Sequence, residues 1–212
     1  LNPGAGLPVP VALLIDFPSS LQLRLNGTLT GNGTADVDGD ALTPDATNVL
    51  LGLDPLYLTG TASFALTVST VAADTDGNGL ADLTGATLTQ LALDVTSLGV
   101  HIQDVAQLQV AGRLAVVTLT PADTLVDQRS WFALKMGAVT VSGGLDPDLI
   151  ELSATITIGS LDYNSATHPT PALAKRLDWT KAFDLDGDGA FDDVLNPGAG
   201  LPVPVALLID FP

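Results

Sequence analysis

Cysteine is absent from the 212 residues. That excludes disulfide staples and thiolate metal sites and leaves the redox compartment open. An extracellular chain of this kind needs another staple, and calcium is the obvious substitute. Basic residues are scarce: seven Lys and Arg stand against 24 Asp and Glu, a net charge of −17. Such a surface repels phosphate, so nucleic acid and anionic membrane are excluded as partners and divalent cations are favoured. Aromatic residues make up 5 %, and Met136 is the one methionine. No apolar run approaches the ~20 residues of a spanning helix. The most apolar stretch, Val9 to Phe17, contains Pro10 and Asp16, so no membrane insertion is expected. Neither an initiator Met nor a signal peptide opens the chain, as expected of an internal piece of a longer protein.

What the chain has instead is a repeat. Residues 1–18 read LNPGAGLPVPVALLIDFP, and residues 195–212 are identical at all 18 positions. Position 195 answers to position 1, so the period is 194 residues. Solenoid repeats are shorter than about 50 residues, whereas this period is the size of a whole domain. Residues 1–194 are therefore expected to be one full repeat unit and 195–212 the start of the next, with neighbouring repeats of the same chain as partners. An artificial duplication is the alternative.

Period-two alternation dominates between these ends. It runs through Leu21–Leu25, Phe64–Val68, Leu88–Val95, Leu114–Leu119, Trp131–Val141 and Leu152–Ile158. Thr and Val fill these runs, as a pleated, half-buried surface prefers. Gly, Pro, Asn and Asp clusters separate about ten strands. The expected class is all-β and antiparallel, because the connections are mostly too short for crossover helices. A β-sandwich or elongated sheet pair with calcium-binding loops is the expected form. Single helical turns are expected after Pro44, over Asp45–Gly52, and over Pro171–Asp178. Val11–Phe17 is expected to be a strand covered on both faces, and residues 1–18 to pair with Leu21–Leu25. Residues 195–212 are expected to be the better ordered of the two copies.

Two segments carry metal chemistry. Asp74-Thr-Asp76-Gly-Asn78-Gly-Leu80-Ala-Asp82 and Asp184-Leu-Asp186-Gly-Asp188-Gly-Ala190-Phe-Asp192 share the form D-x-D-x-[DN]-G-x-x-D. Calcium takes six to eight oxygens, supplied from loop positions 1, 3, 5, 7 (a backbone carbonyl) and 9. The carbonyls of Leu80 and Ala190 fill position 7, and Asp193 stands ready to assist the second site. Position 12 is Gly85 or Leu195, so the bidentate Glu of an EF-hand is missing. The loops resemble those carried on β-hairpins in extracellular β proteins, in which the position-9 aspartate replaces that Glu. The plain alternative is an acidic turn without metal, in which three carboxylates repel one another. A third, degenerate segment offers Asp36, Asp38, Asp40 and Asp45, with Ala41 in place of the loop glycine.

Other signals are weaker. Asn26-Gly-Thr28 and Asn32-Gly-Thr34 have the form of glycosylation sequons, but read first as turns. His101 and His168 lack zinc-ligand spacing, and no nucleophile-elbow, phosphate-loop or metalloprotease motif is present. Trp131 and Trp179 are expected in the core. Arg129, Lys175, Arg176 and Lys181 form the one basic neighbourhood. No catalytic site is expected, and the chain is read as not an enzyme.

With its domain-length repeat, acidic composition, lack of cysteine and D-x-D-G-D-G loops, the chain resembles the repeat regions of giant bacterial surface proteins. Those repeat regions include the extender regions of RTX-type adhesins. The phrases Trp131-Phe-Ala-Leu, Leu161-Asp-Tyr-Asn and Leu177-Asp-Trp-Thr add to the likeness. The resemblance implies extracellular β-sandwich spacers, rigidified by calcium, that project a distal domain binding a glycan or other cell-surface ligand. The alternative function is a carbohydrate- or protein-binding module acting by avidity along the array.

Overall fold

The computed structural model describes residues 18–35, 46–53, 56–102, 106–145 and 153–212. Eight strands form one antiparallel sheet: β1 (Leu21–Thr30), β2 (Gly33–Ala35), β3 (Ala46–Leu53), β4 (Leu56–Ala73), β5 (Leu83–Ile102), β6 (Ala106–Thr120), β7 (Ser130–Leu145) and β8 (Ser153–Thr167). The order is β2-β3-β4-β5-β6-β7-β8, and β1 also pairs with β4. The 18 residues of β4 have room for both neighbours on one edge. Its first residues pair with β3 and its later ones with β1.

The all-β, antiparallel expectation holds: five of the six alternating runs fall within one of these strands, and the sixth, Leu152–Ile158, lies in β8 from Ser153 onward, with Leu152 outside the described residues. Among the described residues there is a single open sheet rather than a pair of sheets. The second layer is irregular chain, residues 177–211, laid across one face. Two local expectations are corrected. Ala46–Leu53 is a strand rather than a helical turn, because Leu51, Gly52 and Leu53 pair with Leu58, Tyr57 and Leu56 of the adjacent strand. That ladder outweighs the helix-initiating effect of Pro44. Asn26–Thr28 lies inside β1, where its partners Ala65, Phe64 and Ser63 hold it extended. Over Pro171–Asp178 one short 3-10 turn forms, Pro171–Leu173. The strand expected at Val11–Phe17, and its pairing with β1, lie outside the described residues. The identical segment 205–211 is irregular chain outside the sheet's ladders, with one isolated antiparallel bridge between Ile209 and Leu195, and its Leu207 and Ile209 join the core against one face of the sheet.

Register explains how the two faces differ. One row runs Asn26, Ala65, Ala92, Ala115, Lys135 and Asp162 across six strands. Its three alanines are buried, and their small side chains let the irregular segment approach the backbone closely. The core forms there. Leu88, Leu119, Val117 and Trp131 of the sheet meet Leu177, Trp179, Phe183, Leu195, Leu201, Leu207 and Ile209 of the covering chain. Complete burial of one such side chain contributes about 1.5–3 kcal/mol. The polar atoms of this layer are matched. The Trp179 indole N–H donates to Asn164 Oδ1 (3.1 Å), and Asn164 Nδ2 donates to the Leu177 carbonyl (2.8 Å).

On the opposite face the neighbouring row is Leu25, Leu66, Leu91, Val116, Leu134 and Tyr163. The row beside it is Gly27, Phe64, Leu93, Leu114, Met136 and Leu161. None of these side chains belongs to the buried core. Leu25 (50 %), Leu161 (46 %) and Tyr163 (53 %) are exposed. No helix among the described residues is long and apolar enough to cross a membrane.

Candidate metal centres

The first acidic loop is the connection between β4 and β5. It is closed at its base by the Ala73–Leu83 pair and by the Asp82 N–H, which donates to the Ala73 carbonyl (3.1 Å). Asp74 sits at its centre, 3 % exposed. Its Oδ1 accepts from the backbone N–H groups of Gly77 (2.7 Å), Asp76 (3.2 Å) and Asn78 (3.3 Å), and its Oδ2 accepts from Gly79 (2.7 Å). Burial pushes the Asp74 carboxyl up. The N–H groups of Gly79, Gly77, Asp76 and Asn78 together outweigh it and hold the carboxyl below the ordinary aspartate range. Asp82 reaches back over the loop, accepting from the Thr75 N–H (2.5 Å) and hydroxyl (2.6 Å). The Leu80 N–H donates to Asn78 Oδ1 (2.9 Å).

The second loop repeats this winding within the irregular segment, with no hairpin to carry it. Asp184 Oδ1 accepts from Gly187 (2.7 Å) and its Oδ2 from Gly189 (3.0 Å). The Ala190 N–H donates to Asp188 Oδ1 (2.8 Å). In both loops the glycines at positions 4 and 6 take positive φ: 79° and 81° at Gly77 and Gly79, 80° and 91° at Gly187 and Gly189. L-residues are strained there by roughly 1–2 kcal/mol, and the turn places successive carboxylates on one side of the chain.

Carboxylate oxygens of Asp74, Asp76 and Asp82 lie within 4.8 Å of one another, as do those of Asp184, Asp186 and Asp188. Each cluster can hold a metal ion. The second loop is closed by hydrogen bonds to the later of its two candidate closing aspartates. Asp193, rather than Asp192, accepts from the Leu185 N–H (2.5 Å) and the Asp186 N–H (3.1 Å). Its own N–H donates to the Phe183 carbonyl (3.1 Å), as that of Asp82 does to Ala73. Asp192 is exposed, and neither it nor Asp193 belongs to the three-carboxylate cluster. The segment with Asp36, Asp38, Asp40 and Asp45 lies outside the described residues.

The two loops are neighbours. The Asp74 N–H donates to the carbonyl of Ala182 (3.0 Å), two residues before Asp184. Arg129 stands beside the first loop only. Its guanidinium pairs with Asp127 (2.7 Å), approaches Asp82 (3.6 Å) and donates to the Thr75 hydroxyl (3.2 Å). The sequence signalled Arg129 only as part of a basic neighbourhood, because its contacts with the loop depend on the β6–β7 connection folding alongside. Among the described residues no Lys or Arg pairs with Asp184, Asp186 or Asp188. The histidines are occupied elsewhere: His101 Nε2 lies 3.2 Å from the Thr59 hydroxyl, and His168 Nδ1 lies 2.9 Å from the Thr170 N–H.

A cleft of about 280 Å³ adjoins the first loop, lined by Asp76, Asp82, Arg129, Trp131, His168 and Lys175 among others. Trp131 does not offer it an aromatic platform. The Arg129 guanidinium covers the ring 5.2 Å from its centroid, and the indole N–H donates to the Lys175 carbonyl. No family model, curated protein or solved structure matches the chain.

Proposed function

We propose that this chain is a structural spacer, a calcium-stabilised extender repeat of a long secreted bacterial adhesin that projects a distal binding region from the cell surface. The observation that carries the reading is the pair of acidic loops, wound alike and each gathering three carboxylates, in a chain whose first 18 residues recur at a domain-length offset. Calcium suits the all-oxygen donor sets, and bound ions would offset a repulsion that seven basic residues cannot balance. Both loops touch the layer that completes the core, so an ion there stiffens the unit as a whole. Chelation is expected to lower the melting temperature by about 5–10 °C per saturated site and to lengthen the maximum dimension in solution scattering. An unchanged melt together with an unchanged dimension sinks the reading.

The cleft beside the first loop favours one competitor, a carbohydrate- or protein-binding module acting by avidity along the array. A glycan array probed in calcium separates the two, since a spacer gives no specific signal. The spacer reading includes no catalysis.

A further inference from the structure

Residues 195–212 complete the core of a sheet built entirely from earlier residues. Leu195, Leu201, Leu207 and Ile209 are buried in it, with Val205 and Phe211 packed alongside. The segment holds its own shape. The Ile209 N–H donates to the Leu195 carbonyl (2.9 Å), the Leu207 N–H to Asn196 Oδ1 (3.0 Å) and the Val205 N–H to the Gly198 carbonyl (3.1 Å). It also grips the sheet. Asn26 Nδ2 of β1 donates to the Gly200 carbonyl (3.0 Å) and Lys135 of β7 pairs with Asp210 (2.5 Å), while within the covering layer the Trp179 backbone N–H donates to the Phe211 carbonyl (3.3 Å). The fit to the sheet is close at Gly200, where a Cβ would meet that of Ala65 at 3.1 Å, and the segment's own turn is tight at Gly198, where a Cβ would meet the Val205 carbonyl oxygen at 2.4 Å. Every one of these segment residues recurs at the other end of the chain, as Leu1, Asn2, Gly4, Gly6, Leu7, Val11, Leu13, Ile15, Asp16 and Phe17.

We propose that the groove filled by residues 195–212 is a docking site for residues 1–18 of a second copy of this chain. The packed unit then runs from residue 19 to 212, and in an array each unit is completed by the first 18 residues of the next. The exit from the segment supports a tight joint. The Pro18 carbonyl accepts from the Leu21 N–H (3.0 Å) and the Ser20 carbonyl from the Thr70 N–H (2.8 Å), so β1 starts after Ser19 and Ser20 alone. Two residues span at most about 7 Å, which leaves consecutive sheets little freedom to swing. Head-to-tail contacts of this kind are heterologous and open-ended, and so build length. The inference rests on the tandem-repeat half of the spacer reading and not on its calcium half.

The test uses the full chain with Leu207→Asp and Ile209→Asp, which opens the groove, and a synthetic peptide of the 18-residue sequence. Sedimentation velocity in calcium is expected to show concentration-dependent oligomers of this variant, formed through its intact residues 1–18. Adding Leu13→Asp and Ile15→Asp abolishes them. The peptide is expected to bind the variant at least about ten-fold more tightly than it binds the wild type, to disperse the oligomers and to restore the melting temperature. Ile209→Ala, a gentler opening, supplies the same peptide measurement if the double variant unfolds. Absence of peptide binding to both variants overturns the proposal, and so does equal binding to the wild type. Failure of the calcium reading shows instead as an unchanged melt of the wild type in chelator.

Discussion

Asp74 is held by four backbone N–H groups in a buried position, whereas Asp186 and Asp188 lie exposed at the rim of their loop with no cationic partner among the described residues. The two kinds of aspartate answer differently to mutation. Asp74→Ala leaves those donors unmatched and is expected to cost about 1–3 kcal/mol with or without metal, read by urea denaturation in calcium and in chelator. Asp186→Asn with Asp188→Asn removes negative charge from a cluster that repels itself. It is expected to raise the melting temperature in chelator and to lose most of the calcium-induced rise, so calorimetry under both conditions shows opposite signs. Acid sensitivity belongs to this scale as well. The Arg129 side-chain hydrogen bond holds the Asp127 carboxyl below the ordinary aspartate range. A lowered folded value means that the pair's contribution is fully present above about pH 4 and is lost as pH falls through the depressed value. The pair is partly exposed, with Asp127 at 27 %, so the contribution is at most about 1 kcal/mol. Asp127→Asn is expected to remove that part of the melting-temperature fall that sets in below about pH 4.

The element that decides stability is the irregular layer rather than any strand. Trp179 is fully buried, 6.1 Å from the Phe183 ring between centroids, and it ties the layer to β8 through Asn164 and to its own far end through Phe211. Trp179→Ala combines a large cavity with lost hydrogen bonds and is expected to cost about 3–5 kcal/mol in denaturant unfolding. A loss under about 1 kcal/mol would mean that the layer contributes little to the folded state. The second acidic loop lies inside this layer, between Phe183 and Leu195, both of which are core residues. An ion bound there fixes the chain at a point where no ladder does. The first loop has a hairpin beneath it, so its metal dependence is expected to be the weaker of the two. Thermal melts of Asp76→Asn and Asp186→Asn variants across a calcium titration compare them.

At the scale of the molecule the sheet is lopsided. Its covered face holds the core, while the opposite face carries two apolar rows across six strands with none of their side chains in that core. Leu25, Leu161 and Tyr163 are exposed there and the other side chains of the rows are half-buried, and apolar side chains left partly open to water bind hydrophobic probes. A hydrophobic dye such as ANS is expected to bind the native protein, and Leu91→Lys with Val116→Lys to reduce that binding by more than half. Wild-type fluorescence no higher than that of a compact monomer would show that the rows are shielded.

The sequence by itself determined the strands, because a half-buried strand announces itself by alternation, as in Leu21–Leu25 and Leu114–Leu119. It also determined both acidic loops, since the nine residues Asp74–Asp82 and the ten residues Asp184–Asp193 supply nearly every contact that shapes them. The repeat needed no structure at all. Tertiary structure decided what depends on neighbours distant in the chain. It made Ala46–Leu53 a strand through pairing with β4, and it gave the closing role to Asp193 through the backbone of Leu185 and Asp186. It laid chain without regular periodicity over the alanine row, where the sequence implied a second sheet. Small side chains such as Ala65, Ala92 and Ala115 report that something approaches closely, but not what. The partner of Ala65 proved to be Gly200, within a covering chain of apolar residues, and a contact surface of that kind follows from shape, which no periodicity encodes.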